Sequence, residues 1–228
     1  MKPANSQLRI ASVLALVLHL IAGVGMALIL AKGLGTNTDV EARLNFLVQH
    51  RTAWTFAWLT WTAAAVSILY FYLVLSSLAS GPVVRLAVLL TASAIGPDLA
   101  GQVAQIGVLP DMAARALVHI SDRDLFFLLD RIAVLMSGYL ANGLYSLSAI
   151  LLSWCTRTAF PARVWAAGLI VGVSGLMLSV AALQDSVRGM FCSNVVLVPF
   201  LLIWLAMVAY YAGSGFDSLA IARASAKR

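Results

Sequence analysis

The sequence predicts an all-α fold: a polytopic membrane helical bundle of six transmembrane helices with short amphipathic helices on its outer face. Three observations predict it. Hydrophobic residues make up 62% of the 228-residue chain and charged residues only 11%, with a mean hydropathy of +0.95. Soluble domains average about 45–50% apolar and about 25% charged residues, so too little polar surface exists here to coat a water-soluble globule. The apolar residues also fall in runs of roughly 20, the length that crosses a bilayer. Finally, the formal net charge of +6 collects mostly at the ends of those runs. These features exclude a disordered chain, a disulfide scaffold and a nucleic-acid binder, and they make the lipid bilayer the first partner.

The spans follow in order. Residues 10–31 form an uncharged run whose one ionisable group is His19. Its length exceeds the signal-peptide core of about 7–15 residues, and no A-x-A cleavage site follows at Ala31-Lys32-Gly33, so it is expected to stay as an anchor. The second span, 54–79, is likewise uncharged, and the third, 86–109, carries Asp98 near its centre. The fourth, 125–154, has Asp130 and Arg131 in its opening turns. The fifth covers 164–183 and the sixth 195–212. No polar linker divides the chain, so residues 1–228 are expected to form a single transmembrane domain. Pro97 and Pro199 would suit two inverted three-helix halves, but their depths differ and their surroundings share no motif.

Orientation rests on the loops. With the N-terminus in the cytoplasm, Lys2, Arg9, Arg85, Arg157, Arg163, Arg223, Lys227 and Arg228 lie inside, with Asp217 as the one inside acid. Lys32, Arg43, Arg51, Arg115, Arg123, Arg131 and Arg188 lie outside, mostly beside acids. The short, cation-only inside loops favour both termini in the cytoplasm. Both long connections then face outward. Thr38-Asp39-Val40-Glu41 has capping-box spacing. Val40, Leu44 and Leu47 follow opposite Glu41, Arg43 and Asn45, which describes a short amphipathic helix on the outer interface. Pro110 to Asp124 repeats the pattern more weakly, and Ser121-Asp122-Arg123-Asp124 reads as the N-cap of the fourth span. These connections are either a cover on the bundle or a gate over an outward-facing cavity.

Lipid tails are as apolar as leucine, so helices associate through close approach of small residues. Gly168, Gly172, Gly175 and Ser179 form such a stripe on the fifth span. Ala133, Ser137 and Ala141, with Gly138, Asn142 and Ser146 on the adjacent row, form another on the fourth. The two spans are expected to pair across the short turn between Cys155 and Arg163, although such stripes also serve homodimers. Trp54 and Trp58 are expected to anchor the outer interface and Trp61 to fill the core. Tyr210, Tyr211, Trp154 and Trp165 would form the inner belt.

Ionisable groups at mid-membrane are costly and are candidate functional groups. Asp98 follows Gly96-Pro97, where proline frees a backbone carbonyl. Gln102 and Gln105, at i+4 and i+7, place two amides on the same face as the carboxyl. That face must meet protein or water. It is either a polar knot to Asn142, Tyr139 or His19, or a substrate or proton site. Asp130 and Arg131, adjacent on one helix, cannot face the same way. One is expected to pair locally and the other to reach a different helix, with Arg131 either snorkelling outward or guarding an outer gate. Asp185 and Arg188, at i+3, would make an exposed pair.

No catalytic constellation is visible. The three histidines, His19, His50 and His119, show no metal-ligand spacing, so no metal is expected, and no cofactor. There is no phosphate-binding glycine loop, no Gly-x-Ser-x-Gly elbow and no lysine within a span. Cys155 and Cys192 fall on opposite membrane faces and cannot form an intrachain disulfide.

The segment Trp154-Cys155-Thr156-Arg157-Thr158-Ala159-Phe160-Pro161-Ala162-Arg163, followed by a span bearing Gly168, Gly172 and Gly175, resembles bacterial six-helix integral membrane proteins grouped as a domain of unknown function. The long connection after the first span adds to the likeness. The resemblance covers about a third of the chain. It implies a bacterial cytoplasmic (inner) membrane and a compact six-helix bundle, and it carries no activity with it.

The function expected first is binding or transport of a small lipophilic or amphipathic molecule in an outward-facing cavity. Asp98, Gln102, Gln105, Asn142 and His19 are its candidate residues, with Arg131 near the mouth. The alternative is an accessory or assembly subunit that contacts another membrane protein, or its own copy, through the Gly168–Ser179 stripe. A membrane-embedded enzyme comes third, since no nucleophile or metal lies beside Asp98.

Overall fold

The structure, a computed structural model, describes residues 3–214; Lys2, Asp217, Arg223, Lys227 and Arg228 lie outside the described residues. Every regular element among those residues is helical. Helix α1 runs over Pro3–Gly25, widens to a π-turn over Met26–Leu30 and closes at Ala31–Gly33. Helix α2 is Val40–Gln49 and α3 is Arg51–Ser76. Helix α4 comprises Pro82–Val103, a π-turn at Ala104–Val108 and an arm at Leu109–Val118. Helix α5 joins Arg123–Val134, a π-segment at Leu135–Ala141 and Asn142–Cys155. Helices α6 and α7 are Ala162–Leu183 and Val187–Ser214.

Of these, α1, α3, α4, α6 and α7 are long and apolar enough to cross a membrane. Helix α5 is divided by the seven-residue π-segment Leu135–Ala141 into α-helical pieces of 12 and 14 residues, and it is not among the five. The expected count of six is therefore met for five helices. Neighbouring helices close a ring: α1 packs on α3, α3 on α4, α4 on α5, α5 on α6, α6 on α7, and α7 returns to α1. Consecutive helices joined by short turns pack antiparallel, which produces this order without long crossovers.

The buried apolar residues separate into two clusters. At the end away from α2, all six long helices contribute. Leu8, Phe71, Val84, Leu152, Val164 and Trp204 are representative, and Phe71, Tyr72 and Trp204 stack at ring separations of 5.4–6.0 Å. At the α2 end, the cluster is built from α1 to α5, with Leu30, Leu44, Trp54, Leu109 and Phe126 among its members. Helices α6 and α7 supply no buried residue to it. The first half of α7 is correspondingly open, with Phe191 62% and Val195 56% exposed.

Several local expectations change. Asp39, not Thr38, caps α2, its Oδ1 accepting the Ala42 N–H at 3.0 Å. Arg43, expected on the polar face, is buried with Leu44 and Leu47, because its partner Asp130 lies beneath α2. Trp54 and Trp58, expected as interface anchors, are buried as well. Trp54 is held there by an indole N–H donated to the Gln105 carbonyl at 2.6 Å. The second connection is mostly a continuation of α4: Pro110, which lacks an N–H, is accommodated at the start of the Leu109–Val118 arm. A short 3-10 turn, Ile120–Asp122, then leads into α5, and Asp122 makes no side-chain cap bond. Asp185 pairs with Arg131 at 3.0 Å rather than with Arg188.

Candidate functional site

Helix α4 positions the central acid. Pro97 has no N–H for the Ser93 carbonyl, and the helix continues through it. Ala94, Asp98, Gln102 and Gln105 recur at helical spacing on one face, where Ala94, Gln102 and Gln105 are buried. The π-turn at Ala104–Val108 begins just before Gln105 and inserts one extra residue into the turn. Asp98 shares that interior face but remains half-buried.

Two helices meet at its carboxylate, and a third reaches it through Gln102. Gln102 Nε2 donates to Asp98 Oδ1 at 3.0 Å, and the Tyr145 hydroxyl of α5 donates to Oδ2 at 3.2 Å. The Thr62 hydroxyl of α3 lies 2.5 Å from Gln102 Oε1 and donates to it, which turns the amide N–H2 toward the acid. Both carboxylate oxygens thus act as acceptors of neutral donors. Among the described residues no cation forms an ion pair with Asp98. Its partners are Gln102 and Tyr145, rather than Asn142, Tyr139 or His19 as the knot reading proposed.

Arg43 of α2 anchors a second cluster. Its Nη2 lies 2.8 Å from Asp130 Oδ2, an ion pair with side chains 4% and 13% exposed that is not aligned as a hydrogen bond. Arg43 Nε donates to the Gly33 carbonyl at 2.6 Å, and the guanidinium lies 5.1 Å from the Phe126 ring centroid. Gln105 Nε2 reaches Asp130 Oδ1 at 3.4 Å. Gln105 therefore touches α5 through its side chain and α3 through its carbonyl. Gln105 Oε1 and the indole N–H groups of Trp58 and Trp61 are buried with no partner. Such groups are costly to bury and call for an occupant, water included.

The other candidates lie apart. His19 Nδ1 bonds the Ala15 carbonyl at 2.8 Å, and the ring meets Trp61 edge-on at 6.2 Å. A carbonyl only accepts, so Nδ1 carries the proton. Arg131 closes the end of α6: Nη1 donates to the Ala182 carbonyl at 2.6 Å and Nη2 to that of Leu183 at 2.8 Å. It thus satisfies carbonyls that a helix end leaves unpaired. Both Asp130 and Arg131 reach other helices, and neither pairs locally. Asn142 Nδ2 donates to the Gly175 carbonyl at 2.7 Å and lies 3.0 Å from Ser179 Oγ, joining α5 to α6.

The glycines of α6 face α5. A Cβ on Gly172 would lie 2.8 Å from the Ser146 carbonyl oxygen, and one on Gly175 would meet the Ser146 side chain. A Cβ on Gly168 would meet Ser153 and Trp204, and one on Gly138 would lie 3.3 Å from Ala182 Cβ. Gly101 of α4 approaches α5 as closely, 2.8 Å from the Ala133 carbonyl oxygen.

An open groove between α1 and α3 is lined mainly by apolar residues, including Leu14, Leu18, Leu59, Val66 and Tyr70, with Thr62 among them; Asp98 does not line it. Among the described residues no group of three or more His, Cys, Asp or Glu side chains could hold a metal ion. Sequence reasoning missed Thr62, Tyr145 and the burial of Trp58 and Arg43. Tyr145 lies three residues from Asn142 and the spacing could have flagged it. Nothing local marks Thr62. No protein-family model, curated protein or solved structure matches this chain.

Proposed function

We propose that the chain is a six-span membrane protein of the bacterial cytoplasmic (inner) membrane that binds or carries a small lipophilic or amphipathic molecule beside Asp98. The observation that supports binding is the half-burial of Asp98 on an otherwise buried helix face, between two apolar clusters. At the far end of the bundle the aromatic trio of Phe71, Tyr72 and Trp204 closes the interior. At the α2 end, α6 and α7 leave the core incomplete. An entry at the α2 end fits that asymmetry. Helix α5 counts as the sixth span because it packs between α4 and α6 and is long enough, at about 1.5 Å per residue, to match them. Six crossings place both termini on one side, and the cation-only loops make that side cytoplasmic. The α2 end then faces outward.

Cysteine accessibility tests the reading. In a background of Cys155→Ser and Cys192→Ser, the Asp98→Cys and Tyr145→Cys variants are expected to react with a small, charged thiosulfonate added outside intact cells. Protection of both positions in folded protein would refute an outward-facing site.

A second reading has its own support. Both Asp98 oxygens already have protein partners on α4 and α5, and the groove between α1 and α3 excludes Asp98. An accessory or assembly subunit, with Asp98 as an interhelical tie, fits that pattern. Protection of Asp98→Cys together with co-purification of one fixed membrane partner would favour it.

A further inference from the structure

We propose that the molecule bound beside Asp98 is a lipophilic organic cation; this rests on the binding reading above. Each buried or half-buried charge of α5 has a counter-charge: Asp130 has Arg43 at 2.8 Å, and Arg131 has Asp185 at 3.0 Å. The Arg51–Asp111 pair between α3 and the α4 arm is likewise closed, at 2.5 Å. Asp98, in the middle of α4, accepts from neutral groups and meets no cation among the described residues. An uncompensated carboxylate in a low-dielectric layer attracts a positive ligand strongly, because water screens it little there.

The surroundings restrict the ligand further. The two arginines near the layer are fixed by backbone carbonyls as well as by acids, so neither is free to swing onto Asp98. Tyr145 donates to the carboxylate through its hydroxyl and adds aromatic surface beside it. His19, with its proton on Nδ1, meets Trp61 elsewhere in the interior. An apolar body suits the flanking hydrophobic clusters, and a single positive centre suits the single acid. Among the described residues no group of three or more His, Cys, Asp or Glu side chains accompanies it, and an organic cation is the partner chemistry that suits one carboxylate between apolar clusters.

The experiment uses the full chain in lipid nanodiscs, with empty nanodiscs subtracted. The probes are tetraphenylphosphonium, the anionic tetraphenylborate of the same shape, and neutral triphenylphosphine oxide. Saturable binding of the cation is expected, at least about tenfold tighter than of the anion, the difference corresponding to about 1.4 kcal/mol. Asp98→Asn keeps the side-chain shape and is expected to remove that preference, and Tyr145→Phe to weaken it. The wild-type comparison of probes needs no variant to fold. Equal affinity for cation and anion, or an unchanged preference in folded Asp98→Asn, would overturn the cation proposal. Saturable binding of the neutral probe alone would also overturn it while sparing the binding reading. No saturable binding of any probe would count against both.

Discussion

Removing Arg43 should cost the protein more than removing any other charge in the described structure. Its side chain is 4% exposed and makes three separate interactions: the Asp130 ion pair at 2.8 Å, the Gly33 carbonyl bond at 2.6 Å and the contact with the Phe126 ring. In Arg43→Met the chain length and much of the volume remain, but Asp130 keeps only Gln105, at 3.4 Å. Stranding one member of a buried pair typically costs about 3–5 kcal/mol. The lost charged hydrogen bond, about 1.5–3 kcal/mol, and the ring contact, about 1 kcal/mol, overlap with that figure rather than add to it. The expected loss is therefore about 3–5 kcal/mol, measured by detergent-titration unfolding followed by circular dichroism. Adding Asp130→Leu removes the stranded charge, so the double variant should recover most of the loss. A cost below about 0.5 kcal/mol for Arg43→Met, or no recovery in the double variant, would refute the account of α2 as held by a buried charge.

Three further outcomes are expected. Gly172→Leu should disrupt the α5–α6 contact, since even a Cβ would lie 2.8 Å from the Ser146 carbonyl oxygen. Overpacking of this kind costs about 1–3 kcal/mol or more, read as a lowered melting temperature. Asn142→Ala should cost about 0.6 kcal/mol, and at most about 1.7 kcal/mol, in the same unfolding assay, as interhelical hydrogen bonds in membranes do. Cys192, exposed near the start of α7, should react with an impermeant maleimide from outside intact cells, whereas Cys155 at the end of α5 should react only after permeabilisation. Labelling of both from one side would contradict the six-span topology.

How much the chain discloses by itself depends on the range of the interaction. The helices were legible because a bilayer demands long apolar runs, and residues such as Leu86–Leu90 or Ile150–Leu152 announce them locally. Helix ends shifted where polar residues continued a helix that hydropathy had ended, as in the Leu109–Val118 arm. Arg43 was misplaced because amphipathic periodicity assumes that a charge belongs outside, and its partner Asp130 is 87 positions away on another helix. Trp54 went the same way: an indole near a span end fits an interface anchor until the Gln105 carbonyl, 51 residues on, claims its N–H. For Asp98, Gln102 was visible at i+4 because one helix turn brings them together. Thr62 and Tyr145 come from two other helices, and helix pairing is not written in spacing.

The central claim is that Asp98 faces an accessible, ligand-receiving layer. A density map of the full chain in a lipid nanodisc, at a resolution that shows ordered water, tests it most directly. The account predicts non-protein density, water or a bound molecule, contacting the Asp98 carboxylate and continuous with the α2 end. A carboxylate sealed by Gln102, Tyr145 and apolar side chains, with no such path, would contradict it.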